Sequence, residues 1–98
     1  MIDVYDEGER LAEFLFKERI SIKHIRVLAI AAEQREPRRL EMLIKSKAKE
    51  PDKWRRTIPR LLDILKRCDS DTEKFKRVMI SAIMVYPYIK YFKSRSWR

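Results

Sequence analysis

The sequence predicts an all-α domain, a compact antiparallel bundle of about five helices whose long C-terminal helix is kinked at a proline. Three observations predict it. Glycine occurs once in 98 residues, at Gly8, whereas a sheet protein of this length needs glycine-bearing turns that this chain lacks. Apolar residues recur at helical spacing along the chain. Ser70-Asp71-Thr72-Glu73 has the form of a capping box opening the last helix. The length suits one domain over residues 1–98, with one modest core. Hydrophobic residues make up 45% of the chain, which excludes a disordered tail despite 40% charged residues.

The first helix is expected from about Asp6 to Lys17, where Asp6, Glu7 and Glu9 complement the dipole and Leu11, Phe14 and Leu15 form an apolar face. Ser21 reads as the N-cap of a second helix, with Ile22, Ile25, Ala29 and Ala32 as its stripe, widened by Leu28 and Ile30. Pro37 ends that helix or opens the next at a first-turn position. Leu40, Leu43 and Ile44 give the third helix a narrow face that fades through Lys45, Lys47 and Lys49. Pro51 and Pro59 bracket a short basic piece holding Trp54, Arg55 and Arg56. Thr57 then reads as the cap of a fourth helix, in which Leu61, Leu62, Ile64 and Leu65 face inward and which ends at Cys68.

In the last helix, Phe75, Met79, Ala82, Tyr86 and Ile89 fall within one sector at 100° per residue and form its core face. Arg77, Ser81, Met84, Tyr88 and Tyr91 recur on nearly the opposite side, which predicts contact with a partner as well as with the core. Pro87 lacks the N–H that would bond to Ile83, so a kink is expected there.

The net charge is +9 and unevenly placed. Residues 1–20 carry three basic and six acidic side chains; residues 35–60 carry ten basic and four acidic; residues 88–98 carry four basic and none acidic. Basic blocks of this kind suit a polyanion-binding surface. Aromatics lie among the cations (Trp54 with Arg55 and Arg56, Tyr88 and Tyr91 with Lys90, Trp97 with Arg95 and Arg98), as in proteins that stack bases and hold phosphates. The absence of asparagine and the single glutamine match a composition selected at high temperature.

Catalysis needs a poised base, nucleophile or metal. His24 is the sole histidine and stands between cations; Cys68 is the sole cysteine, so neither an internal disulfide nor a Cys/His zinc site is available. Asp69 and Asp71 read as helix punctuation. The expectation is no enzyme, no cofactor, no metal and no small-molecule substrate. The N-terminus is acidic and polar, unlike a secretory signal, and the longest uncharged run, residues 78–89, is too short for a membrane span. A cytoplasmic protein is expected.

Three segments together resemble the small subunit of type III-A (Csm) CRISPR effector complexes. Ile20-Ser21-Ile22-Lys23-His24-Ile25-Arg26 is similar to that family's capped Ile-Arg helix start, and Ala31-Ala32-Glu33-Gln34-Arg35-Glu36 to its small-small-x-x-Arg stretch. Glu73-Lys74-Phe75-Lys76, Ala82 and Tyr88-Ile89-Lys90-Tyr91-Phe92 resemble its long terminal helix. The likeness spans about residues 10–93 in order. The chain is short for the family, and residues 49–57 have no counterpart in it. The resemblance implies a non-catalytic helical bundle, several copies of which lie along CRISPR RNA and target RNA beside other effector subunits, target cleavage belonging to a different subunit. The type III-B small subunit is also a helical bundle, and the resemblance does not separate the two.

The expected contacts to single-stranded RNA are Arg26, Arg35, Arg38, Arg39, Lys53, Arg55, Arg56, Lys90 and Lys93, with Arg77, Ser81, Met84, Tyr88 and Tyr91 as the protein interface. The rival reading is a dimeric helix-turn-helix DNA-binding regulator using residues 21–44, although Arg35-Glu36-Pro37 stands where such a turn normally has a glycine. A third is a structural partner of an acidic protein.

Overall fold

The computed structural model describes residues 2–46 and 52–96, with the side chains of residues 52–53 and 93–96 left aside. All regular structure among them is helical: α1 (Val4–Lys17), α2 (Lys23–Ala32), α3 (Pro37–Ser46), the single turn α4 (Asp52–Arg55), α5 (Thr57–Arg67) and α6 (Thr72–Ser96). The chain is an all-α bundle, as its glycine count and periodicity predict. None of the described helices is long and apolar enough to cross a membrane.

α1 begins before the expected Asp6 because Asp3 caps it, its Oδ1 accepting from the Tyr5 and Asp6 amides at 3.0 and 3.1 Å. The helix closes with Ile20 N–H bonded to the Leu15 carbonyl and Arg19 N–H to that of Phe16. This is a Schellman closure, and it requires a left-handed residue, here Arg19 at φ 58°. α5 closes in the same way through Asp69 at φ 54°. Arg35, between α2 and α3, is also left-handed at φ 57°. Three turns that favour glycine are thus built without it.

The one glycine lies inside α1 instead, where Gly8 is buried against α6. A Cβ there would overlap the Ser81 side chain and stand 3.0 Å from the Ala82 backbone nitrogen. The absent side chain therefore sets how closely α1 and α6 pack. α6 is the central helix, touching α1, α2 and α5. Phe75, Val78, Met79 and Ala82 are fully buried with Leu11 and Leu15 of α1, Ile25 and Leu28 of α2, Leu40 and Ile44 of α3, and Leu61 and Ile64 of α5. Tyr86 and Ile89 continue that face half-buried. α6 runs on through Pro87 as one helix.

Three expected caps are corrected. Ser21 Oγ accepts from the Lys23 amide at 3.1 Å, but Ile22 occupies the cap position of α2. Thr57 is the first residue of α5, with its hydroxyl buried and unpartnered among the described residues, and Arg56 precedes it in helical dihedrals. α4 and α5 are nearly one helix, interrupted where Pro59 has no N–H to offer the Arg55 carbonyl. α6 is capped by Asp71, whose Oδ1 accepts from Glu73 and Lys74 at 3.0 and 3.3 Å. Ser70 is left-handed at φ 58° and takes no part in the cap. Asp71→Ala is therefore expected to cost about 1 kcal/mol. Ser70→Gly should cost nothing or stabilise, because the left-handed region carries a penalty of about 1–2 kcal/mol for residues with a Cβ. Chemical denaturation of both variants checks this, and the reverse order would restore Ser70 as the cap.

Candidate nucleic-acid interface

The predicted cations do not form one block. Arg35, Arg38 and Arg39 are exposed around the α2–α3 turn, beyond the C-terminal end of α2. Arg26 is exposed near the N-terminal end of α2, about 9 Å from that C-terminal end along the helix by its rise per residue. Arg55 and Arg56 are exposed and come close to that same end, for two reasons. Trp54 of α4 packs its ring on His24 of α2 with centroids 4.6 Å apart, and Arg56 donates to Glu18 at 3.1 Å. Lys90 is exposed on α6. The side chains of Lys53 and Lys93 lie outside the described residues, as do Trp97 and Arg98 and the side chain of Arg95.

Arg39 is paired with Glu36 at 2.9 Å and Arg56 with Glu18. Among the described residues, Arg26, Arg35, Arg38 and Lys90 have no carboxylate partner. Arg19 joins them as an exposed cation without a partner that charge counting passed over, because it sits in the acidic N-terminal segment. Its position just past the end of α1 was the signal available. A cleft of about 460 Å³ brings Arg19 to Lys90, across a wall that includes Phe16, Ile20, Ile22 and Tyr86.

Trp54 is buried at 2% exposure, so it anchors α4 to α2 and is no stacking platform for bases. Its residue type among arginines resembled one; its burial excludes it. Ser81, expected at an interface, is buried against Gly8 instead. The rest of that stripe is open: Arg77, Met84, Tyr88 and Tyr91 are exposed, together with Ile80 and Phe92. Phe92 stacks near Tyr88 at 6.4 Å and meets Tyr91 edge-on at 5.4 Å.

Cys68 is buried, and burial raises its thiol pKa, which keeps it in the unreactive protonated form. No three His, Cys, Asp or Glu side chains gather to hold a metal ion among the described residues. Glu7 is the most deeply held carboxylate among the described residues. Its two oxygens accept from Nη1 and Nη2 of Arg67, the latter at 2.9 Å, and Arg67 Nε also donates to Asp63 at 2.9 Å. The Arg67 hydrogen bonds hold the Glu7 pKa below its ordinary value against the opposing effect of burial. This pair joins α1 to α5 and leaves Arg67 committed to structure.

No protein-family model, curated protein or solved structure matches the chain.

Proposed function

We propose that this domain is a non-catalytic, single-stranded-RNA-binding small subunit of a type III CRISPR ribonucleoprotein, assembled with other effector subunits and further copies of itself. The observation that carries the RNA-binding part is the presence of exposed cations with no carboxylate partner among the described residues, Arg19, Arg26, Arg35, Arg38 and Lys90 among them. Unpaired cations with Tyr88 and Tyr91 exposed beside Lys90 suit phosphate contacts with base stacking. The assignment to an effector complex rests on the resemblance in residues 20–26, 31–36 and 73–92.

Phosphate contacts position a strand without reading its bases. The log–log salt dependence of binding to single-stranded RNA should therefore have a slope of about −0.7 per phosphate contact. Reversing charge at Arg26, Arg35, Arg38 and Lys90 is expected to flatten that slope and to weaken all sequences alike. Reversing Arg10, which is paired with Asp6 at 3.1 Å, should change little. Equal slopes for the wild type and the fourfold variant would show that these side chains are only a solvated face.

One observation favours the helix-turn-helix reading. Arg35 adopts at φ 57° the conformation for which such a turn normally uses glycine, so the missing glycine is no obstacle to it. Duplex DNA bound with sequence preference would establish that reading; length-dependent binding to single strands supports the RNA reading.

A further inference from the structure

The cleft between the α1–α2 turn and α6 has a composition that the charge blocks alone do not explain. Its lining includes two cations, Arg19 and Lys90, and no acidic residue. The remainder is mainly apolar or aromatic: Phe16, Ile22 and Tyr86 among others. Its volume, about 460 Å³, is within the range of small-molecule sites, roughly 300–1,000 Å³. The polar groups at its edge are already oriented. Tyr86 donates its phenolic hydrogen to the Ile20 carbonyl at 3.3 Å, which fixes the ring as part of the wall. Ser21 Oγ accepts from the Lys23 amide, leaving its hydroxyl hydrogen free to donate. The first turn of α2 begins with Lys23 and holds no acidic residue, so no carboxylate of its own neutralises the positive end of its dipole.

Arg19 also sits where glycine is the favoured residue, at the left-handed position closing α1. That backbone serves the helix closure, while the Arg19 side chain is exposed and without an ion pair among the described residues. Two cations over an apolar, aromatic-walled cleft match a ligand that carries an anion and a planar ring together.

We infer that this cleft takes one nucleotide, with its phosphate between Arg19 and Lys90 and its base against Phe16, Ile22 and Tyr86. The inference rests on the RNA-binding reading and names one subsite of it. A free mononucleotide shares the same chemistry, so the test separates the two sources.

Three probes are titrated at several salt concentrations: a uridine 8-mer, uridine monophosphate and inorganic polyphosphate. The proteins are the wild type, Arg19→Gly, Lys90→Gln and the double variant. Arg19→Gly keeps the left-handed backbone, so its thermal midpoint should hold or rise while binding falls. Each single variant is expected to weaken the 8-mer about tenfold, as for loss of one charge-assisted contact. The double variant should flatten the salt slope by about 1.4, two contacts at 0.7 each. A 4-thiouridine in the 8-mer should crosslink to Phe16 or Tyr86. An 8-mer bound by the double variant with the wild-type slope, crosslinking elsewhere, would overturn the cleft and leave the RNA reading standing. Monophosphate bound in an Arg19- and Lys90-dependent way without the 8-mer would support the cleft and overturn the RNA reading. Polyphosphate displacing the 8-mer with no crosslink to the wall would reduce the site to a charge patch and overturn the nucleotide. Binding of none of the probes would overturn both.

Discussion

Gly8→Ala is expected to destabilise the domain by about 3 kcal/mol, at the upper end of the usual cost of overpacking a core. The sign is informative because intrinsic propensity argues the other way. Alanine inside a helix is favoured over glycine by about 1 kcal/mol, so an unconstrained α1 would gain from the change. Here the new methyl group meets the Ser81 side chain and stands 3.0 Å from the Ala82 backbone nitrogen. Neither obstacle is the free end of a flexible side chain. Relief requires α1 to move away from α6, loosening the contacts of Leu11 and Leu15, both fully buried. For a domain near this size, 3 kcal/mol corresponds to a fall in thermal midpoint of about 12–24 °C. Adding Ser81→Gly should recover much of the loss, since it removes the nearer obstacle, and the two changes should be strongly non-additive. A raised midpoint for Gly8→Ala alone would mean that α1 does not cross α6 at this point.

The same crossing shows which parts of the structure are legible in the sequence. Long periodic faces are: Phe75, Met79 and Ala82 of α6, Leu61 and Ile64 of α5, and Ile25 and Ala32 of α2 are buried as their spacing demands. Each follows from one helix considered alone. Ser81 does not, because its burial depends on a glycine 73 positions earlier in the chain. A small polar residue on an apparently outward stripe is covered once the facing helix can approach closely.

The cap of α6 has a similar cause. Ser70 and Asp71 are both good capping residues, and the choice is made by how α5 ends. Its closure bonds Ser70 N–H to the Leu65 carbonyl and puts Asp69 and Ser70 in left-handed dihedrals, so Asp71 becomes the first residue free to cap. At the candidate site, the exposed cations Arg26, Arg35, Arg38 and Lys90 were visible as charge. Two things were not. Trp54 lies in a single helical turn with no periodicity to reveal its buried side, and its docking on His24 is a tertiary fact. Arg19 is masked by six neighbouring carboxylates in the first 20 residues, though Lys90, far away in sequence, shares its cleft.

Arg67→Met is expected to be the second most disruptive change, costing about 2–3 kcal/mol at pH 7. Removing one partner of a fully buried pair costs about 3–5 kcal/mol, because the remaining charge is stranded. Here the cost is discounted, since the Arg67 side chain is 43% exposed and Arg10 Nη1 stands 4.0 Å from Glu7 Oε1. The pH dependence distinguishes this mechanism from lost packing. In the wild type the folded-state pKa of Glu7 lies below its ordinary value near 4.5. The pair's stabilisation is therefore fully present above that value and is lost as pH falls through the folded pKa. Without Arg67, the chief lowering influence on Glu7 is gone and burial, which raises its pKa, gains weight. Protonation then relieves the variant, so its deficit relative to the wild type should shrink between pH 6 and about pH 3 in chemical denaturation. Glu7→Gln should flatten the wild-type acid dependence, and the double variant Glu7→Gln with Arg67→Met should be more stable at pH 7 than Arg67→Met alone, since no buried charge is left without its partner. A deficit for Arg67→Met that stays constant across this range would mean that Arg67 acts through the packing of its aliphatic stem on the α1–α5 contact and not through its charge.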